Sequence, residues 1–215
     1  MPKKRGQKGG KLSIGSIKKF VQSFKNPKDN IDDYILDENI SNSTAKTYYN
    51  PLLNHAVVVH SGTQSALDWG NNVMYMIGAY KITNRYKSSQ EIQELAEQKY
   101  GSQNVSTVGF SQGGILAREL GGNSKEIINV NPAYKFESQK PNEYNIRSSG
   151  DVVSGLLKYP TMIKSWFYPT DTENKNITIP AESYDPLLEH SSDILDRLPQ
   201  DQQVGEGLIF KIRLR

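Results

Sequence analysis

Four apolar runs separated by helix-like stretches set the frame of this chain. Ala56-Val57-Val58-Val59 has no polar alternation, the pattern of a strand covered on both faces of a parallel sheet. Val105-Ser106-Thr107-Val108, Ile127-Ile128-Asn129-Val130 and Tyr144-Asn145-Ile146 predict three further strands. Between them, Asp68 to Tyr80 and Ser89 to Lys99 read as helices, the second opening with Ser-Ser-Gln-Glu and closing at Gly101. Gly114 to Leu120 reads as a third. Strands alternating with helices argue for a mostly parallel central sheet joined by right-handed crossovers, an α/β sandwich flanked by helices.

The two ends differ from this middle. Residues 1–11 are rich in Lys, Gly and Gln, a composition that predicts disorder. From Leu12 to Phe24, Ile14, Ile17, Val21 and Phe24 fall at helical spacing with Phe20 beside them, while Lys18, Lys19 and Lys25 lie toward the other face. This is a basic amphipathic helix, of the kind that lies on an anionic membrane surface. Residues 26–49 are polar apart from Tyr34, Ile35 and Leu36, and read as a linker. At the other end Leu208, Phe210, Ile212 and Leu214 alternate with Ile209, Lys211, Arg213 and Arg215, the pattern of an edge or interaction strand. The expected organisation is a basic arm at 1–25, a linker at 26–49 and an α/β domain at 50–215.

Composition narrows the chemistry. The chain has 215 residues, 36% of them hydrophobic, enough for one domain with a sizeable core. The net charge of +3 hides an asymmetry, because residues 1–25 hold eight basic residues and no acid, leaving the remainder net acidic. Cysteine is absent, which excludes a disulfide staple, a thiolate metal site and a cysteine nucleophile. No apolar run approaches the ~20 residues of a membrane span, and the basic start lacks the apolar core and cleavage site of a signal peptide. Lys3-Lys4-Arg5 resembles a nuclear address or a nucleic-acid contact. It has no interleaved aromatics and no recognisable nucleic-acid fold around it, so nucleic acid is not the expected partner. No phosphate loop or histidine cluster is present, and no cofactor or metal is expected.

The densest chemical signal is Gly109-Phe110-Ser111-Gln112-Gly113, set between a strand and a helix. A serine on a sharp strand-to-helix turn needs small residues two positions either side, and the two glycines supply them. A serine hydroxyl also needs a base to take its proton and an acid to orient that base. The three histidines are His55, His60 and His190, and only His190 follows the serine, as the order serine, acid, histidine requires. His60, at the end of its strand, is left as a residue lining the site or satisfied in the core. Asp151, just past the strand at Tyr144 to Ile146, is the leading acid, with Asp171 and Asp185 as competitors. Asp185 precedes Pro186 and suits a turn better. Two donors must face the oxyanion. The N–H of Gln112 supplies one, and Thr63, in the Ser61-Gly62-Thr63 turn after the first core strand, supplies the other.

These residues resemble the landmarks of the class 3 lipases. The likeness is carried by Val57-Val58-Val59-His60-Ser61-Gly62-Thr63, Asp68-Trp69 with Asn71-Asn72, Val108-Gly109-Phe110-Ser111-Gln112-Gly113-Gly114 and Gly150-Asp151-Val152-Val153, and covers about residues 45–198. It implies an α/β-hydrolase-like fold, with Ser111 as nucleophile, Asp151 as acid, His190 as base, and Thr63 with Gln112 in the oxyanion hole. Two positions depart from the family pattern: Ser61 stands where an Arg is usual, and Phe110 where His or Tyr is usual. The segments between motifs leave little room for a long lid helix, which makes short or soluble esters plausible substrates beside lipids.

Two functions of different class follow. The first is a serine lipase or esterase that cleaves carboxylic esters through an acyl-enzyme on Ser111. The second is a non-catalytic, binding or virion-associated protein that keeps the hydrolase fold and contacts membrane or nucleic acid through its basic arm. The four intact elements Ser, Asp, His and Gly-Thr favour the first. The absence of a signal peptide fits an intracellular or virion-associated setting.

Overall fold

The computed structural model describes residues 10–62, 84–132, 139–151 and 175–205. Eight strands form one mixed sheet whose spatial order is the order of the chain: β1 (Asn30–Ile31), β2 (Tyr34–Leu36), β3 (Ala45–Asn50), β4 (His55–His60), β5 (Val105–Phe110), β6 (Glu126–Val130), β7 (Glu143–Ser148) and β8 (Asn176–Ile179). The pairings from β1 to β4 are antiparallel and those from β4 to β8 parallel. Every residue of β4 and β6 is buried, which is why their centres read as apolar runs, broken in β6 only by Asn129, rather than as alternations. The architecture is α/β, as expected, with strands β5, β6 and β7 extending the anticipated runs by a few residues.

Strands β5 and β6 are each laid down on the same side of their predecessor, and the two helices that lead into them lie on one face of the sheet. Helices α2 (Asn84–Tyr100) and α3 (Gln112–Leu120) lie there. Ile92 and Ala96 of α2 pack on Ala56, Val58 and Val105, and Gly121 at the end of α3 comes down on Thr107 and Ile127. The helix expected over Ser89 to Lys99 thus begins five residues earlier, at Asn84, and ends as anticipated at Gly101, whose φ of 81° is a conformation glycine adopts without penalty.

The opposite face carries the main core, and its cover was not foreseen. Helix α1 (Ile14–Gln22), capped by the Ser13 hydroxyl accepting from Ser16 N–H at 3.1 Å, buries Ile14, Ile17 and Phe20 completely. With Leu12 they pack against Val57, Val59, Val108 and Ile128. The segment Ser192–Arg197, a 3₁₀ turn, and residues up to Val204 complete the layer with Ile194, Leu195 and Leu198. Backbone bonds from Ile14 N–H to Gln202 O (2.9 Å) and from Gly15 N–H to Gln200 O (3.0 Å) clasp the two chain segments together.

The expected division into arm, linker and domain is therefore corrected. The apolar stripe of α1 is occupied by the sheet and is not presented to a membrane, and its Lys18 pairs with Asp193 and Asp196 at 3.3 and 2.5 Å. A stripe at helical spacing is the same whether it faces lipid or a protein core, which is why the pattern alone misled. Residues 26–49 are not a linker but supply β1, β2 and most of β3, with Tyr34 and Tyr48 fully buried. The helix expected at Asp68 to Tyr80, most of the disordered stretch at 1–11 and the alternation at 208–215 lie outside the described residues. Among the described residues, no helix is long and apolar enough to cross a membrane.

Phe20 tests the position of α1, since its ring meets the edges of Tyr34 and Tyr48 at 5.4 Å each. Phe20→Ala should lower the free energy of unfolding in urea by about 3–5 kcal/mol. A loss under about 1 kcal/mol would place the helix off the sheet.

Candidate active site

The turn between β5 and α3 is shaped by contacts that no side chain could share. A Cβ on Gly109 would lie 2.1 Å from Gly113 O, and one on Gly113 would lie 2.3 Å from His60 O. Both positions are therefore closed to every residue but glycine. Between them Ser111 takes φ 54°, ψ −119°, a conformation that costs an L residue on the order of 1–3 kcal/mol and is kept only where the surroundings dictate it. Its N–H donates to Val130 O at 3.0 Å, fastening the turn to the end of β6. Gln112 follows directly and opens α3, at the positive end of the helix.

The other two residues arrive from the next strands. Asp151 lies three residues past the end of β7, its N–H donating to Ser148 O at 3.3 Å. His190 follows the single helical turn α4 (Pro186–Glu189) beyond β8. His190 Nδ1 stands 2.9 Å from Asp151 Oδ1, and Nε2 stands 2.8 Å from Ser111 Oγ. A carboxylate oxygen accepts, so Nδ1 carries the proton, and Nε2 is left to accept the serine O–H. All three side chains are buried, where hydrogen bonds are stronger than in water. The Phe110 ring lies 5.4 Å from the imidazole, walling one side of it.

Of the expected site residues, Ser111, Asp151 and His190 come together, and Gln112 lies beside them. Thr63 is outside the described residues, as is the competing acid Asp171. The loop leading to Thr63 is described as far as Gly62, and Arg85 of α2 holds it by donating to Ser61 O, to Ser61 Oγ at 3.0 Å and to Gly62 O at 3.0 Å. Asp185 caps its own turn, accepting from Leu187 N–H at 2.9 Å. His60 is in the core of the α2 face, Nε2 at 3.2 Å from Gln93 Oε1, and His55 is at the far end of β4 between Tyr34 OH and Ser106 Oγ, 2.8 Å from each. Among the described residues no group of His, Asp and Glu is placed to hold a metal ion.

Sequence reasoning missed the residues that hold the site: Arg85, Asn131, Ser148, Glu189 and Arg197. They carry no motif and are far apart along the chain, and only one signal was open to reading, the position of Glu189 directly before His190. Compared with protein-family models, with curated proteins and with solved structures, the chain matches none.

Two measurements probe this geometry. Burial, aided by the nearby Arg85 charge, pushes the His60 imidazole down to about 4 from its ordinary 6.5. A depressed histidine leaves the native state binding fewer protons than the unfolded chain, so its stabilisation is complete above pH 6.5 and is lost as pH falls toward about 4. His60→Gln should remove up to ~3 kcal/mol of the pH dependence of urea unfolding across that window. Equal pH slopes in the two proteins would contradict a neutral, buried His60. Separately, Gly113→Ala should cost about 1–3 kcal/mol of stability as α3 is driven off the His60 carbonyl, and an unaltered unfolding midpoint would mean the contact is not made.

Proposed function

We propose that this protein is a serine hydrolase of carboxylic esters, acting through an acyl-enzyme on Ser111, in an α/β-hydrolase-like fold related to that of the class 3 lipases. The observation that carries the reading is the unbroken chain Ser111 Oγ, His190, Asp151, with bonds of 2.8 and 2.9 Å, delivered by three separate turns at one edge of the sheet. Chance association of a positive-φ serine with a buried histidine and acid in this order is improbable on physical grounds, since each element burdens the fold.

In the reaction Ser111 Oγ attacks the acyl carbonyl while His190 Nε2 takes its proton. Asp151 holds the imidazole in the tautomer that allows this and stabilises the imidazolium that forms. The oxyanion of the tetrahedral intermediate meets the N–H of Gln112 and, on the loop steadied by Arg85, a donor from Thr63. His190 then gives the proton to the leaving alcohol, the acyl group stays on Ser111, and a water activated by the same imidazole releases the acid.

Lipid acyl esters suit the surroundings of His190. Leu187 and Leu188, on the turn leading into it, are more than half exposed, so an apolar chain finds apolar surface next to the base. Attraction to an anionic membrane surface, if the arm supplies it, falls to the basic residues ahead of α1, because the apolar face of α1 is already used in packing. No observation favours the non-catalytic alternative.

A fluorophosphonate probe should label the folded protein and fail to label Ser111→Ala. Hydrolysis of p-nitrophenyl esters should fall by roughly 10⁴-fold or more in both Ser111→Ala and His190→Ala. A wild-type protein that is folded but neither labelled nor active on any chain length would reject the proposal.

A further inference from the structure

One carboxylate with no part in the proton relay is built into the support of both residues that form it. Glu189, fully buried, immediately precedes His190. Its Oε2 accepts from Arg197 Nη1 at 2.8 Å and its Oε1 from Arg197 Nη2 at 2.9 Å, a bidentate pair. Oε1 also accepts the backbone N–H of Glu182 at 3.0 Å and of Ser183 at 2.8 Å. Oε2 takes the hydroxyl of Ser148, whose oxygen in turn accepts Gly150 N–H at 3.2 Å. Ser148 and Gly150 form the turn that delivers Asp151. The carboxylate is thus bonded to the turn of the acid while its own backbone carries the base.

A second strut runs parallel to it. Asn131, at φ 42° beyond β6, donates from Nδ2 to Glu189 O at 2.9 Å and to Ser191 O at 3.3 Å, the carbonyls on either side of His190. Its Oδ1 accepts Ser148 N–H at 3.0 Å, so the same two turns are tied again. The Arg197 guanidinium, opposed by burial and reinforced by Ser148, holds the Glu189 carboxyl down to about 2, and the carboxylate stays charged throughout neutral pH.

A buried ion pair is a poor way to gain stability, since apolar residues of similar volume do as well. What it offers is direction, because five donors arriving at fixed angles leave a carboxylate one orientation. We propose that Glu189, locked by Arg197, is a positioning residue that sets the His190 ring against Asp151 and Ser111; the role rests on the hydrolase reading above. A displacement of the base by about 1 Å costs ~10²-fold in rate, so a strut on the neighbouring residue has a large lever.

The test uses the full chain labelled with ¹⁵N-histidine. The Nδ1–H proton of His190, assigned by its loss in Asp151→Asn, reports the bond to the acid directly, and fluorophosphonate labelling reports Ser111. In Glu189→Gln, which keeps the shape and removes the charge, that proton should move upfield or vanish, and labelling should slow by roughly 10–100-fold, both read well below the unfolding midpoint. Arg197→Lys, which keeps the charge and loses the fork, should give the same changes in smaller measure, and decides the matter if Glu189→Gln does not fold. A His190 resonance unmoved in the folded variant overturns the proposal whether or not labelling falls, because Glu189 would then act elsewhere. A parent protein that resists the probe while its His190 resonance still responds to Glu189→Gln would sink ester hydrolysis and leave the positioning role standing.

Discussion

Everything at the candidate site depends on how closely α3 can approach the end of β4. With Gly113 seated on the His60 carbonyl and Gly109 tucked under Gly113, the helix begins one residue after Ser111. Ser111 sits in this turn at positive φ, with its hydroxyl against His190 Nε2. Protein interiors transmit such constraints because they are close-packed, and Gly114 resting on Pro132 extends the same fit to the end of β6. The backbone fixes the turn of Ser111, and Asp151 and His190 are brought to it by turns of their own.

They are brought by polar residues buried in number. Asn131, Ser148 and Glu189 sit below the relay, each nearly or fully buried, and each has its hydrogen-bonding groups met by neighbouring turns. Buried polar groups of this kind are harmful when half satisfied and rigidifying when complete. The relay itself contains two hydrogen bonds between side chains, and the layer beneath it contains many more. Precision in this site is thus a property of the second layer.

What could be read from the sequence follows from how local each signal is. Strands β4 to β7 were legible because burial on both faces writes an apolar run that needs no tertiary knowledge, and Ser111, Asp151 and His190 were legible because chain order and the scarcity of histidine left few choices. The strands β1 to β3 were not, since Tyr34 and Tyr48 stand among Asn, Asp and Lys, and their burial depends on α1, whose apolar face the pattern could not assign to them. Helix α1 was found and misplaced: its period names a face, and only the uncovered sheet says what that face meets. The struts at Arg85 and Asn131 lie beyond sequence reading because a hydrogen bond across tens of residues leaves no spacing to detect, and Arg197, eight residues past Glu189, pairs with it within no single helix or strand.

The clasp between α1 and residues 200–203 has a consequence for the order in which the protein becomes competent. Helix α1 is synthesised well before the residues that hold it, so the larger face of the sheet stays partly open until Ser192 to Val204 have left the ribosome. His190 lies two residues before that segment. The residues that close the core therefore directly follow the one that reaches Ser111 and Asp151. A nascent chain lacking this stretch exposes apolar surface, inviting chaperones or aggregation, and at the same time holds Ser111 without its hydrogen-bond partner His190. Closure of the core and assembly of the chain of hydrogen bonds through Ser111, His190 and Asp151 thus depend on neighbouring stretches of the chain.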